Sequence, residues 1–168
     1  WVYRYIEQLA KVYYQKYERG TPVTKLEVKG ESSSTGTTVK FLPDPEIFSE
    51  TEFHYDILAK RIRELAFLNK GLEIELIDER DNEQETFKYE RGIVEFIEFI
   101  DQNKSPLHPE VIQFNKTKDK VELEVAMRYN SGYQSNIFSF VNNINTMEGG
   151  THLSGFRTAL TRIWNNYA

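Results

Sequence analysis

Two short stretches rich in glycine, threonine and asparagine carry the residues best suited to bind a ligand. The first, STGTT at residues 34–38, lies directly before an alternating segment that predicts a β-strand. Glycine lets a backbone approach a ligand closely, and threonine hydroxyls both donate and accept hydrogen bonds. Taken alone, however, the stretch is more typical of a plain turn through Gly36.

The second stretch, NNINTMEGGTH at residues 142–152, joins a predicted strand to a predicted helix. Two asparagines at the end of a strand are costly unless their amides are hydrogen-bonded. Thr151 is suited to cap the helix, and paired glycines before a helix can bind an anion. No lysine lies nearby, so a sharp turn that positions the helix is the simpler interpretation.

Several kinds of chemistry are excluded by composition. The chain has no cysteine, which removes disulfides, thiolate nucleophiles and iron–sulfur clusters. Its three histidines, His54, His108 and His152, are far apart and lack metal-ligand spacing. No Walker-type phosphate loop occurs, and no apolar run is long enough to span a bilayer.

Charge is distributed unevenly along the 168 residues, whose net charge is −5. Residues 1–92 carry 14 basic and 18 acidic side chains, and residues 93–168 carry 7 and 8. The dense basic stripe of an autonomous DNA-binding domain is missing. If DNA is a partner, this chain is not its main contact.

Short strands and three helices must position these stretches, and together they predict an α+β fold built mostly from antiparallel hairpins. Predicted strands lie at residues 1–6, 11–19, 21–30, 38–42, 72–79, 85–90, 111–114, 120–130 and 136–144. The predicted helices cover residues 56–69, a segment following Gly92, and residues 152–167. A further short helical piece is expected after Pro43. Their expected inner faces are Ile57, Leu58, Ile62, Leu65 and Leu68; Ile93, Phe96, Ile97 and Ile100; and Leu153, Phe156, Leu160, Ile163 and Trp164.

Five segments taken together resemble the ATPase subunits of type IIA topoisomerases. They are TGTTVKFLPDPEIF, YDILAKRIRELAFLNKGLEIELIDER, IVEFIEFIDQNKSPLHPEVIQF, VELEVAMRYNSGYQSNIFSF and SFVNNINTMEGGTHLSGFRTALTR, in the family's order. The similarity covers roughly residues 11–168. The gyrase-type subunit fits best, and the topoisomerase IV-type subunit is second.

The resemblance implies a layout of two domains. Residues 1–92 resemble the C-terminal part of a GHKL-type (Bergerat) ATPase sandwich. Residues 93–168 resemble the first part of the transducer, a left-handed βαβ domain. Gly92 lies where the family's domain boundary is expected. Periodicity alone does not define that boundary.

The resemblance also implies roles for individual residues. Thr37 matches the threonine that helps to hold the adenine of ATP, Gly36 the glycine beside it, and Val39 an apolar residue that lines the same pocket. Aminocoumarin inhibitors compete with ATP there. Arg157 matches an arginine that faces the internal cavity of the dimer and contributes to DNA capture, although a solvated helix charge explains it equally well. An arginine that contacts inhibitors in the family has no assigned counterpart near residues 4–11.

The expected partners and cofactors follow from the same resemblance. They are ATP with Mg²⁺, DNA, the gyrase A subunit and a second copy of the ATPase subunit after ATP binding, in a bacterial cytoplasm or an organelle of bacterial descent. The family's general base and its magnesium-binding asparagine are expected upstream of Trp1, and the lysine that reaches the γ-phosphate downstream of Ala168. No catalytic residue and no metal ligand is therefore assigned within this chain, and the chain alone is predicted to be inactive. A non-catalytic α+β interaction module is the alternative.

Overall fold

The computed structural model describes residues 2–8 and 10–168, which form eleven strands and three helices. Trp1 and Leu9, which belong to the first predicted strand and the turn after it, lie outside the described residues. The strands are β1 Val2–Gln8, β2 Lys11–Glu18, β3 Thr21–Pro22, β4 Glu27–Glu31, β5 Gly36–Phe41, β6 Ile74–Asp78, β7 Glu83–Phe87, β8 Ile112–Lys118, β9 Val121–Met127, β10 Phe140–Val141 and β11 Ile144–Asn145. The helices are α1 Tyr55–Leu68, α2 Ile93–Ile100 and α3 Thr151–Tyr167. The α+β fold predicted from the sequence is confirmed.

Residues 1–53 form one compact unit around an antiparallel sheet with the strand order β3-β2-β1-β5. The strand β4 pairs with β2 beyond a shift in register between Val12 and Tyr13. The strands β1 and β2 pair along the whole length of β1, and β2 is rich in tyrosine, a residue that suits a pleated, half-buried surface. The sheet places β5 beside β1.

The segment predicted as one strand at residues 21–30 is instead two short strands, β3 and β4. The side chain of Thr24 interrupts the ladder, because its Oγ1 accepts a hydrogen bond from the main-chain N–H of Lys16 at 3.0 Å. Leu26 and Val28, expected to share an inner face, are 60% and 56% exposed. The short helix expected after Pro43 is only a turn, in which the N–H of Phe48 donates to the main-chain oxygen of Asp44 at 2.9 Å.

Residues 54–168 form the second compact unit, with its core where α1 meets the β6–β7 hairpin. The predicted extent of α1 is right to within one residue, but its predicted inner face is partly wrong. Ile57 is 66% exposed, whereas Ala59 and Ala66 are buried against Phe87. Small side chains let the hairpin approach the helix closely, and Ile62, expected on the inner face, packs against the same cluster.

Aromatic rings extend this core towards α2. The ring of Phe67 stacks on Tyr89 at 3.6 Å between centroids and lies 5.2 Å from Phe96. Arg63, expected on the polar face of α1, lies over the rings of Phe87 and Phe99 instead. Its guanidinium also donates to Glu85 at 2.7 Å, which satisfies the charge where it is half-buried.

The β8–β9 hairpin turns two residues later than the composition predicts. Asp119 and Lys120 form its tip, with φ angles of 50° and 65°. Two consecutive left-handed residues are typical of a type I′ turn, whose twist matches that of the strands it joins. The strand β8 therefore extends through Lys118, and the NKTKD segment is mostly strand.

The single strand predicted at residues 136–144 is wrong. This segment contains the turn of a second tight hairpin, in which β10 and β11 pair through Phe140 with Asn145 and Val141 with Ile144. Asn142 and Asn143 form the tip, with φ angles of 48° and 67°. Asparagine tolerates this left-handed conformation better than most residues, so the Asn-Asn pair is a turn signal inside an apolar run.

The helix α3 begins at Thr151, so Thr151 is its first helical residue and not the predicted cap. Gly150 stands at the capping position with a φ of 154°, and a Cβ there would lie 2.9 Å from the His152 ring. Only glycine fits this close approach. Leu153, Phe156 and Leu160 are half-buried as expected, but Ile163 and Trp164 are 62% and 50% exposed.

The division into compact units falls at a different place from the expected domain boundary. The units divide after Phe53, and Gly92 lies within the second unit, buried beside the end of α1. A boundary at Gly92 therefore stays a prediction from the resemblance. None of the helices in the described part of the chain is long and apolar enough to cross a membrane.

Candidate functional site

The predicted ligand-binding residues Gly36, Thr37 and Val39 lie together on β5, which is the last strand in the order β3-β2-β1-β5. Side chains alternate along a strand, so Thr37 and Val39 project from the same face. Antiparallel pairing puts Ile6 opposite Thr37 and Arg4 opposite Val39 on that face. Val39 is 56% exposed, so this face offers an apolar surface with a hydroxyl beside it.

The loop before β5 is held by the side chain of Glu7. The sequence does not suggest this contact, because Glu7 is 25 positions away from Ser32 and 27 from Ser34. Ser32 Oγ donates to Glu7 Oε2 at 2.6 Å, and Ser34 Oγ donates to the same oxygen. The hydrogen bond from Ser32, and then that from Ser34, lowers the pKa of the Glu7 carboxyl. Glu7 also pairs with Gly36, so the loop enters β5 from a fixed point.

The far end of β5 leads into a turn tied to the end of β2 by ion pairs. Arg19 donates to Asp44 at 2.6 Å and to Glu46 at 2.5 Å. The main-chain N–H of Glu46, and then Arg19, lower the pKa of the Asp44 carboxyl. Asp44 and Glu46, which composition suggests are solvated acids, therefore help to position the segment after β5.

Arg157 lies on the exposed face of α3, in the second compact unit. It lines a shallow polar groove along this helix together with Thr158, Thr161, Arg162, Asn165 and Asn166. Two guanidinium groups and hydroxyl and amide groups are donors suited to anionic oxygen atoms. The β5 residues belong to the first unit, so the two candidate surfaces belong to different units.

A hydrogen-bond cluster joins the β10–β11 hairpin to the start of α3. Thr146 Oγ1 donates to the main-chain oxygen of Ser139 at 2.9 Å and lies 3.3 Å from His152 Nε2. The N–H of Thr146 donates to the same Ser139 oxygen at 2.8 Å. Thr146 and His152 belong to the second stretch singled out in the sequence, and their contacts position the start of α3.

One buried charge pair has no counterpart among the residues that the sequence singles out. Asp101, at the end of α2, accepts a hydrogen bond from Arg128 Nε at 3.0 Å, and their side chains are only 5% and 10% exposed. Lys104 lies 3.6 Å from the other carboxylate oxygen. A buried pair of this kind is costly to break, because the remaining charge is left uncompensated. No pattern in the sequence distinguishes these two residues from solvated charges.

A magnesium site needs several carboxylate, amide or water oxygens around one point. Among residues 2–8 and 10–168, no three histidine, aspartate or glutamate side chains come together in a group that could hold a metal ion.

The solved structures that this fold resembles come from bacterial gyrases. The 43K ATPase domain of Thermus thermophilus gyrase B, solved in complex with an aminocoumarin, aligns with 100% of this chain and 46% of that chain, at a TM-score of 0.85 and 32% identity. The B-subunit of the DNA gyrase from Myxococcus xanthus has the same fold at a TM-score of 0.83 and 24% identity, over 95% of this chain and 47% of that chain. The class of protein is thus a gyrase-type ATPase-domain fold, which confirms the resemblance.

The sequence relatives carry the same family name as these solved structures. Residues 92–168 match the family described as DNA gyrase B. The chain is 48% identical to the DNA gyrase B protein of Bacillus mycoides and 51% identical to that of Halalkalibacterium halodurans, in each case over 97% of its length. It is therefore a relative of DNA gyrase B. It spans 41% and 26% of the lengths of these two relatives.

Proposed function

We propose that this chain is part of the ATP-binding, gate-forming subunit of a DNA gyrase. Such an enzyme uses ATP to drive negative supercoiling by passing one DNA duplex through a double-strand break in another. The observation that carries the proposal is the alignment of the whole chain with a gyrase B ATPase domain at a TM-score of 0.85. The named relatives favour gyrase over the topoisomerase IV enzyme and over a non-catalytic module.

Within this proposal, β5 contacts the adenine of ATP. Thr37 and Val39 share one face, which supplies a hydroxyl for a hydrogen bond and an apolar surface for a planar ring. Gly36 comes directly before Thr37 at the start of the strand, and no atom lies within 4 Å of the position its Cβ would occupy. The neighbour in Thermus thermophilus was solved with an aminocoumarin bound, and we propose that this chain contributes to an equivalent inhibitor site.

The adenine contact is tested by Thr37→Val in the complete subunit, with ATP binding measured by calorimetry. Valine keeps the shape of threonine but removes one hydrogen bond, so ATP affinity should fall about fivefold. The matched control is Thr38→Val, which makes the same chemical change on the opposite face of β5 and should leave affinity unchanged. Equal affinities for the two variants would reject Thr37 as a ligand contact.

The groove on α3 is proposed to face DNA through Arg157. An exposed guanidinium beside Arg162 and several amides and hydroxyls suits phosphate oxygens, and it needs no base contact. Residues 93–168 are nearly neutral, so they repel DNA less than the more acidic residues 1–92 would. This surface would therefore approach DNA as part of a larger contact and not as an autonomous binding domain.

This role is tested by Arg157→Ala in the complete subunit assembled with its partner. Loss of one phosphate contact should lower the DNA-stimulated part of ATP hydrolysis and weaken its dependence on salt concentration. The control is Lys118→Ala, which removes an exposed positive charge from the end of β8. A stimulated rate that stays at the wild-type value in Arg157→Ala would reject the DNA-facing role.

The remaining partners are proposed from the same relationship. They are the gyrase A subunit, a second copy of the ATPase subunit that joins when ATP binds, and Mg²⁺ bound with ATP. The relatives are bacterial proteins, which supports a bacterial cytoplasm as the location. Coupling of ATP binding to dimerisation is a free-energy link, so each should strengthen the other by the same factor.

A further inference from the structure

The tip of the β10–β11 hairpin is bonded to the C-terminal end of α1. Arg61 Nη2 donates to the main-chain oxygen of Asn143 at 2.9 Å, and Asn143 Nδ2 donates to Asn69 Oδ1 at 3.1 Å. Both asparagines are half-buried, so their amides are partly withdrawn from water. The bond between them joins residues 74 positions apart in the chain and is a specific tertiary contact.

Asn69 is already oriented to receive this bond. It stands at the C-cap of α1, and its Nδ2 donates to the main-chain oxygen of Leu65 at 2.7 Å. With the amide nitrogen held by the helix, Oδ1 has to face away from it, towards Asn143. Asn143, with a left-handed φ of 67°, bonds α1 at two places: its side chain at Asn69 and its carbonyl at the side chain of Arg61.

Only a few residues separate the tip of this hairpin from the start of α3. The strands β10 and β11 contain two residues each, and Thr146 follows β11 directly. Thr146 is bonded to Ser139 at the base of the hairpin and lies 3.3 Å from His152 in the first turn of α3. The hairpin therefore connects the end of α1 to the start of the helix that carries Arg157.

We propose that Asn143 is a positioning residue for α3: its bond to Asn69 holds the hairpin on α1, and the hairpin in turn holds the start of α3. This inference rests on the proposed function, because the consequence of misplacing α3 is a weaker response to DNA. It assigns no contact between Asn143 and nucleotide or DNA. The amide acts only through the orientation of the helix.

The test compares Asn143→Gly with Asn142→Gly. Glycine adopts the left-handed conformation of either position freely, so both variants keep the turn and add similar flexibility to the open chain. Only Asn143→Gly removes the side-chain bond to Asn69, and it leaves the carbonyl that accepts from Arg61. Within the described residues, the Asn142 side chain is exposed and makes no hydrogen bond, which makes it a matched control.

The first measurement is hydrogen exchange at the Thr146 amide, which closes the hairpin by donating to Ser139. Loss of one hydrogen bond should speed local opening about fivefold in Asn143→Gly relative to Asn142→Gly. The second measurement is ATP hydrolysis by the complete subunit with its partner, with and without DNA. The DNA-stimulated increment should fall about threefold or more in Asn143→Gly, while the rate without DNA stays unchanged.

Each result decides a separate point. Equal exchange in the two variants would overturn the docking, and faster exchange with an unchanged response to DNA would overturn the positioning role. If hydrolysis by the wild-type enzyme does not respond to DNA, that result would instead contradict the proposed function, and the exchange result would still decide whether the tip docks on α1.

A variant at Asn69 tests the same hydrogen bond from its other partner. Asn69→Ala removes the acceptor for Asn143 and also the bond to Leu65, so α1 should fray in this variant. Exchange at Thr146 in the double variant Asn69→Ala, Asn143→Gly should match that in the double variant Asn69→Ala, Asn142→Gly, because Asn69→Ala already removes the bond that Asn143→Gly breaks. Fully additive effects on Thr146 exchange would show that the two amides do not interact.

Discussion

At Gly92 the backbone adopts a φ of 59° while the end of α1 packs directly against its Cα. A Cβ there would lie 2.6 Å from Lys70 Cγ and 3.2 Å from the main-chain oxygen of Phe67. The lysine side chain can move aside, but the main-chain oxygen and the left-handed conformation cannot be avoided. The absence of a Cβ at this residue therefore allows the close contact between the end of α1 and the start of α2.

Gly92→Ala should consequently lower the free energy of unfolding by about 2 kcal/mol, from left-handed strain and the contact with Phe67. The measurement is urea unfolding of the chain followed by circular dichroism. Gly155→Ala is the matched control, because Gly155 lies inside α3 with no atom within 4 Å of its Cβ position. That change should raise the stability of α3 by about 1 kcal/mol, because alanine favours helix. Destabilisation by both changes would contradict this account.

At the scale of elements, polar side chains decide where the short strands begin and end. The side chain of Thr24, which lies between β3 and β4, accepts a hydrogen bond from Lys16 on β2, and Glu7 on β1 holds the loop that leads into β5. Asn142 and Asn143 close the β10–β11 hairpin. In each case a local polar contact sets where an element begins or ends, which the apolar pattern does not define.

The loop held by Glu7 should loosen in acid. Hydrogen bonds from Ser32 and Ser34 lower the pKa of this carboxyl in the folded chain below its value of 4.5 in the unfolded chain. The contribution of Glu7 to stability is then fully present above pH 4.5 and is lost as the pH falls through the folded-state pKa. Amide exchange of Ser34, followed from neutral pH down through this range and corrected for intrinsic rates, should show protection falling as the carboxyl is protonated.

Glu7→Gln provides the comparison for this effect. Glutamine keeps an acceptor oxygen but does not titrate in this range, so the protection of Ser34 should be weaker and independent of pH. Protection that falls equally in both proteins would assign the effect to another acid.

At the scale of the whole molecule, this chain corresponds to less than half of the ATPase-domain chain that it matches. It covers 46% of the ATPase-domain chain from Thermus thermophilus that it matches. The described residues contain no cluster of acids and histidines that could hold a metal ion, and the candidate adenine contacts lie on a single strand. Phosphoryl transfer needs positioned charge around the γ-phosphate, which this strand alone does not supply.

The chain by itself should therefore show no ATP hydrolysis above the rate in buffer. A coupled phosphate-release assay at saturating ATP and Mg²⁺ measures this, and the complete subunit under the same conditions serves as the positive control. Turnover by the chain alone that disappears in Thr37→Val would contradict the assignment of catalysis to residues outside it.

The amino-acid sequence by itself determined the type and order of most elements and the relationship to gyrase-type ATPase subunits, and from that resemblance it predicted the contacts Gly36, Thr37, Val39 and Arg157. These are properties of local periodicity and of residues in a fixed order, which a sequence displays directly. The helix predicted at residues 56–69 and the hairpin at 72–90 were right for this reason. The roles of the four contact residues remain predictions.

Only the tertiary structure decided which surfaces these elements bury and which distant residues meet. The alanines of α1 are buried rather than Ile57, because the hairpin approaches the helix most closely there. Asp101 pairs with Arg128, and Asn143 with Asn69, across 27 and 74 positions of the chain. Such contacts depend on the three-dimensional path of the backbone, so one sequence read along its length does not reveal them.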